Sequence, residues 1–372
     1  MTTTHAFDPA EALILDEWSA TDPAGNPPRV AILGSEDTAI AEVVAERAAS
    51  VAIFPRHSHD RAAANPLPPN VVVDHGVTPS PDASLDAVLL AIPQGRYLSR
   101  MLIAAARAAL RDGGELWLAG PSTAGAKPVI ADAISLLGEG EVVAFKHRQR
   151  LARCVKHTDA PIPDWATEPG VAPGTFGGFE IDLAGVRTTV KTRPGVFAWD
   201  GLDDTTRLIL EHVDIPDGAV VANPCCGAGT LGLHAANAGA AQVELTDHDA
   251  LAVRAAQAGI EANALADRAT ATAHPCGRLA PDAAYDLILA FPPMDEPRVT
   301  QPDGRAAPRA IEQLLAAARP ALAPAGRLVV AAPAFVSLDK PLRRAGLTGQ
   351  TLAESRRARM IEAVVGASPT GQ

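Results

Sequence analysis

Leu85-Asp86-Ala87-Val88-Leu89-Leu90-Ala91-Ile92-Pro93 is answered later in the chain by Tyr285-Asp286-Leu287-Ile288-Leu289-Ala290-Phe291-Pro292-Pro293. Downstream of each, Ala104 to Gly120 (AAARAALRDGGELWLAG) is matched by Ala316 to Ala332 (AAARPALAPAGRLVVAA). A strand, a helix and another strand recur in one order, so the chain reads as a duplicated α/β domain. Only the second copy carries a glycine-rich loop, Asn223-Pro224-Cys225-Cys226-Gly227-Ala228-Gly229. That asymmetry implies that one copy keeps a ligand site which the other has lost.

Composition agrees with two domains. A length of 372 residues lets each half bury its own core, and a 47% apolar content describes a globular chain. The formal net charge of −11 argues against indiscriminate contact with nucleic acid, leaving only local basic faces for it. Cys154, Cys225, Cys226 and Cys276 form no CxxC pair and no His/Cys cluster with zinc spacing. Neither a disulfide framework nor a metal is expected, and a reducing cytoplasm fits. The start, Met1-Thr2-Thr3-Thr4-His5, lacks a signal-peptide pattern, and no apolar run approaches the roughly 20 residues of a membrane helix. A soluble protein is expected.

Arg29 to Gly34 reads as a buried strand leading into a helix over 37–49, followed by strands Ser50–Phe54 and, within a long loop, 70–74. The first domain is expected to span 1–157. Residues 158–178, rich in proline and glycine, suit a semi-extended linker, which leaves 179–366 as the second domain and 367–372 as a tail. Phe179–Leu183 and Val186–Thr192 flank Ala184-Gly185 as a β-hairpin. A helix from Asp203 to His212 then precedes the strand Ala219–Ala222 that delivers the glycine loop.

Gly227 and Gly229 would let backbone approach a ligand, while the following helix offers unpaired amides. Asp247, after the strand Gln242–Thr246, is placed to accept hydrogen bonds from both hydroxyls of an adenosine ribose. The loop alone also fits GxGxxG, which leaves a dinucleotide dehydrogenase open, and its glycines also suit plain helix-strand packing. The segment Asp286 to Met294 separates the cofactors. Its double proline fixes carbonyl groups at a strand end, where they can accept hydrogen bonds from an exocyclic amine held before an electrophilic methyl group.

That segment resembles the Asn-Pro-Pro-aromatic motif of amino-group methyltransferases. Together with Arg193-Pro194-Gly195-Val196-Phe197, Gly201-Leu202-Asp203, the glycine loop, Asp247, and Gly326 to Ala332 with Ala334-Phe335, it makes the chain similar to the ribosomal RNA guanine-N2 methyltransferases of the small and large subunits. The resemblance implies two tandem Rossmann-like methyltransferase domains, the N-terminal one degenerate. It implies S-adenosylmethionine bound by Gly227, Gly229 and Asp247, with Asn223 and Cys225 in the same loop and Phe197 and Asp203 flanking it. The adenine side falls near His274 to Cys276. The turn Phe291, Pro292, Pro293, Met294 would hold the guanine, and ribosomal RNA or a ribosomal subunit would be the partner, with no membrane or metal. Four positions depart from the family pattern. Phe291 replaces the motif asparagine, Met294 its aromatic residue, Asn223 the usual acid and Cys225 the first glycine. Three functions therefore stand side by side: the guanine-N2 enzyme, an RNA-binding or assembly protein on a decayed scaffold, and a methyltransferase for another amino group.

Two basic clusters, Lys146, Arg148, Arg150, Arg153 and Lys156, and Arg343, Arg344, Arg356, Arg357 and Arg359, read either as a track for an RNA backbone or as solvated faces. In the first copy, Ile92-Pro93-Gln94-Gly95-Arg96 lacks the double proline, and Leu33-Gly34-Ser35-Glu36-Asp37 puts acids where a cofactor cradle would be. That copy is expected to bind no S-adenosylmethionine and to grip RNA or support its neighbour. Cys225 and Cys226 read as small loop fillers, and His57, His59, His147, His157 and His248 as surface residues.

Overall fold

The computed structural model describes residues 7–21, 26–57, 66–82, 84–183, 185–275, 277–293 and 310–365. The chain divides into two compact units, Met1–Gly177 and Gly178–Gln372. Among the described residues each unit is built on one seven-stranded sheet.

The first unit opens with α1 (Pro9–Ala20), a helix that has no counterpart among the sequence expectations. Its local signal is a capping box: Asp8 accepts from the Ala10 amide and Glu11 reaches back to the Asp8 amide, with Pro9 in the first turn. Leu13, Ile14 and Trp18 of α1 bury against Val30, Ile32, Leu89 and Trp117 of the sheet. The strands are β1 (Arg29–Leu33), β2 (Ser50–Phe54), β3 (Val71–Val73), β4 (Leu85–Ala91), β5 (Leu110–Pro121), β6 (Gly138–Lys146) and β7 (Gln149–Lys156). They are interleaved with α2 (Ala39–Ala45), α3 (Arg96–Ala109) and α4 (Ala126–Leu137) and lie in the order β3-β2-β1-β4-β5-β7-β6. β1 to β5 pair in parallel and β7 runs against both its neighbours. Helices cover the central strands, so β1 and β4 are continuous apolar runs instead of alternating ones. The proline-rich stretch after β7 holds one 3₁₀ turn, Asp164–Ala166, and the ring of Trp165 lies 4.9 Å from the Arg100 guanidinium of α3.

The second unit begins with the expected hairpin, β8 (Gly177–Leu183) and β9 (Val186–Thr192). Asn263 ties it down by accepting from the Thr189 amide and donating to the Thr189 carbonyl. Then come α5 (Asp204–His212), β10 (Val220–Pro224), α6 (Thr230–Asn237), β11 (Gln242–Asp247), α7 (Ala250–Ala262), β12 (Ala269–Ala273), β13 (Tyr285–Ala290), α8 (Ala310–Ala321), β14 (Leu322–Pro333), α9 (Asp339–Arg344), β15 (Leu347–Glu354) and β16 (Ala358–Val365). Their order, β12-β11-β10-β13-β14-β16-β15, repeats that of the first sheet position for position. Even the irregularities recur: register shifts fall between Leu85 and Ala87 in one sheet and between Tyr285 and Leu287 in the other. The tandem Rossmann-like arrangement is therefore the fold.

Candidate active site

β10 and β11 lie side by side, with Pro224 opposite Thr246, so the loop after β10 and the end of β11 meet at the carboxyl edge of the sheet. This is the edge where open α/β sheets bind ligands. The loop stays stitched to β11 because the Cys226 amide donates to the Thr246 carbonyl at 3.0 Å. Cys225 then turns with φ 52°, Gly227 with 54° and Gly229 with 81°. The left-handed region is unfavourable for a residue with a side chain. Cys225 is disulfide-bonded, contrary to the sequence expectation, which tested only short-range cysteine spacings. Cys226 is buried and free, and burial pushes its thiol well above the usual range, with the Asp247 charge adding to the effect. It is inert filler, as expected.

The three glycines of the loop do different work. A side chain at Gly229 would strike Leu245 and Ala256, and one at Gly232 would strike Leu245, so both let α6 pack against β11. At Gly227 a Cβ would meet nothing within 4 Å. That is the position where bare backbone borders open space, as a cofactor cradle requires.

Asp247 closes the loop from the other side. Its carboxylate, 7% exposed, accepts from the Gly227 amide at 2.9 Å and from the Asp249 amide at 3.0 Å, and His248 Nδ1 lies 3.3 Å away. Burial alone would raise its pKa, but His248 and the two amides together outweigh burial and hold it below 3.8. The group is an ionised acceptor with lone pairs to spare, which fits a ribose diol. His248, read from sequence as a surface residue, is thus part of this site. Asp249 caps α7 through the Leu251 amide.

Asn223 is 1% exposed, and both ends of its amide are taken: Nδ2 donates to the Leu289 carbonyl and Oδ1 accepts from the Gly232 amide. It joins β10, β13 and α6 and holds the loop's framework. Asp203 serves as the N-cap of α5, with Oδ1 accepting from the Thr205 and Thr206 amides.

β13 runs next to β10 and ends at Ala290, which brings Phe291, Pro292 and Pro293 to the same edge. Phe197 arrives there from the turn after β9, where Val196 is buried and the Val196 amide donates to the Arg193 carbonyl. Its ring, in a residue 63% exposed, meets Phe291 edge-on with centroids 5.7 Å apart. Phe197 and Phe291 thus form an aromatic corner that the sequence did not announce as a pair. Met294 and Cys276 lie outside the described residues, as does His59. Phe335, just beyond β14, is 90% exposed. Among the described residues no group of His, Cys, Asp and Glu could hold a metal, and no helix is long and apolar enough to cross a membrane.

The first unit shows what replaces such a site. By strand register Pro55 holds the place of Asp247, and Gly34 that of Cys225. Glu36, in the loop that would cradle a ligand, accepts from the Arg56 and His57 amides at 3.2 and 3.1 Å and pairs with His57 Nδ1 at 2.9 Å. Burial would raise its pKa, but His57 and those amides hold it low. Glu36 is one of the acids expected in this loop, and its carboxylate is held by groups of the protein itself.

Residues 187–361 match the family model described as the methyltransferase small domain. The chain is 31% identical over 292 residues to the ribosomal RNA small subunit methyltransferase C of Chromohalobacter salexigens, covering 77% of this chain and 81% of that relative. It is 27% identical to the protein of the same name from Vibrio cholerae, over 71% of this chain and 73% of the relative. Among solved structures it is similar to the 16S rRNA N2 methyltransferase of T. thermophilus in complex with AdoMet and guanosine, with a TM-score of 0.73 and 26% identity, covering 96% of this chain and 91% of that one.

Proposed function

The chain belongs to the ribosomal RNA small subunit methyltransferase C family, and on that premise we propose that it methylates the exocyclic N2 amine of a guanine in small-subunit ribosomal RNA, using S-adenosylmethionine, in the cytoplasm. The observation that carries this reading is the buried, ionised Asp247 bound to the bare backbone of Gly227. Those two residues would hold the cofactor's ribose and amino-acid portions, with Gly229, Asn223 and Cys225 shaping the loop and Asp203 and Phe197 bordering it. S-adenosylmethionine, when bound, supplies a methyl group on an electron-poor sulfonium centre, so the chain need not form a covalent bond to the substrate.

The protein's task is alignment. Phe291 and Phe197 present aromatic edges and faces against which a planar base can rest. Pro292 and Pro293 stiffen the turn, and the Pro292 carbonyl accepts a hydrogen bond from the amine, steering its lone pair and taking up the positive charge that develops on nitrogen. A motif asparagine would add a second acceptor. Phe291 has none, which by analogy with an oxyanion-site donor slows the transfer by roughly two orders of magnitude without abolishing it. Residues 1–157 grip RNA in this reading.

Incubating the purified protein with 16S RNA or assembled small subunits and labelled S-adenosylmethionine, then digesting to nucleosides for mass spectrometry, tests the proposal. N2-methylguanosine is expected, and it disappears in Asp247→Ala. The residues at 291 and 294 favour one rival, a scaffold that binds RNA without transferring methyl groups; that rival prevails when neither substrate acquires the modification.

A further inference from the structure

Each sheet ends in an antiparallel hairpin whose turn lies at the carboxyl edge of the parallel strands. In the first unit the turn is Lys146-His147-Arg148-Gln149-Arg150, with Gln149 opposite Pro121 at the end of β5. In the second it is Ser355-Arg356-Arg357-Ala358-Arg359, with Ala358 opposite Pro333 at the end of β14. The two are built alike. The Arg148 carbonyl accepts from the Ser122 amide and the Arg357 carbonyl from the Ala334 amide, both at 2.9 Å.

The structure also divides the basic runs seen in the sequence. Arg153 turns to Glu115, and Lys156 donates to the Leu110 carbonyl, so neither faces outward from the turn. Arg343 and Arg344 end α9, next to the start of β15 at the opposite edge of the sheet. What remains is concentrated at the turns, where Lys146 pairs with Glu17 at 2.8 Å. Lys146, His147, Arg148, Arg356 and Arg357 are exposed. The guanidinium of Arg148 and that of Arg356 have no acidic partner among the described residues. Arg357 pairs with Asp204, but the two side chains are 83% and 74% exposed, an ion pair that water screens and a phosphate can replace. Arg150 lies over the Phe145 ring at 5.0 Å. His147 and Arg148 also sit at φ 49° and 64°, a turn conformation that asparagine and glycine adopt with less strain. The first unit thus keeps the guanidinium of Arg148 at a position where backbone preference alone selects against it.

We propose that both turns bind phosphates of an RNA backbone, and that the second anchors the strand beside the nucleotide held at Phe291 to Pro293. β13 and β16 are separated only by β14, so the second turn lies two strand spacings, about 10 Å, along the edge from the catalytic turn. That is within reach of a phosphate flanking a base inserted there. The inference rests on the methyltransferase reading for its choice of RNA.

The test is fluorescence anisotropy of a labelled single-stranded oligoribonucleotide over a salt series, with Arg148→Ala, the pair Arg356→Ala and Arg357→Ala, and, as a control at the opposite edge, the pair Arg343→Ala and Arg344→Ala. Each turn variant is expected to bind about fivefold more weakly and to lower the slope of log affinity against log salt by about 0.7 for every phosphate it no longer neutralises. The control pair and the S-adenosylmethionine affinity stay at wild-type values, and KM for ribosomal RNA rises while kcat holds. Wild-type methylation with turn variants of unchanged affinity and slope overturns the phosphate sites alone. A wild-type protein that methylates no ribosomal RNA overturns the enzyme assignment instead.

Discussion

Asp86 in β4 and Asp286 in β13 accept a hydrogen bond from the first amide of the adjoining central strand, Arg29 at 2.8 Å and Val220 at 2.9 Å. Across β5 and β7 Glu115 pairs with Arg153, and across β14 and β16 Arg327 pairs with Glu362, the same geometry with the signs exchanged. Against that shared frame stand a few residues at strand ends: Pro55 where the other unit has Asp247, and Glu36 bound to backbone amides where the other has open space beside Gly227. A Rossmann-like sheet and a cofactor site are thus separable properties. The sheet depends on buried apolar strands and register, and the site on two or three groups at one edge.

The sharpest test of that separation removes Asp247. Hydrogen bonds to a charged acceptor are worth about 1.5–3 kcal/mol each, so Asp247→Ala should weaken S-adenosylmethionine binding at least ~100-fold in a calorimetric titration while Pro55→Ala changes nothing. Because the folded pKa lies below 3.8, the carboxylate's contribution to stability is complete above that value and is lost as pH falls through the lower folded pKa. The melting-temperature gap between wild type and Asp247→Asn should hold constant from neutral pH to about pH 5 and close only below the ordinary carboxylate range.

A smaller effect is expected at the catalytic turn. Phe291→Asn supplies a side-chain acceptor where Ala91 stands in the first unit, and kcat should rise by up to about two orders of magnitude with cofactor affinity unchanged. A fall in kcat instead would show that the edge-on packing with Phe197 matters more than the acceptor. Glu36→Ala should cost about 1–2 kcal/mol in chemical denaturation by orphaning the amides of Arg56 and His57, yet leave cofactor stoichiometry at one. A second equivalent of bound cofactor would break the comparison, since it would mean that one side chain alone separates the two units. The ion pairs give the smallest signal. Glu362→Ala should destabilise by about 1 kcal/mol and Glu115→Ala by less, the latter pair being the more exposed.

Much of this architecture was legible in the residues. Parallel strands covered on both faces leave unbroken apolar runs, which is why Leu85–Ala91 and Tyr285–Ala290 announced themselves, and a glycine loop followed by an acid after the next strand marked Gly227 and Asp247. α1 escaped because the repeated stretches begin downstream of it and its capping box is a weak local signal. The clasp made by Asn223 and the amide partners of Glu36 escaped for another reason. Each joins groups brought together by strand order, and no local periodicity records strand order.

The exchanged ion pairs have a consequence for how such a chain sorts its own strands. Sister hairpins of nearly the same pattern, made in one polypeptide, invite pairing between halves, a failure common in tandem repeats. If β5 zipped onto β16, Glu115 would face Glu362. If β14 zipped onto β7, Arg327 would face Arg153. Like charges at such partly covered positions repel, so the inverted pair disfavours pairing of either hairpin with its twin.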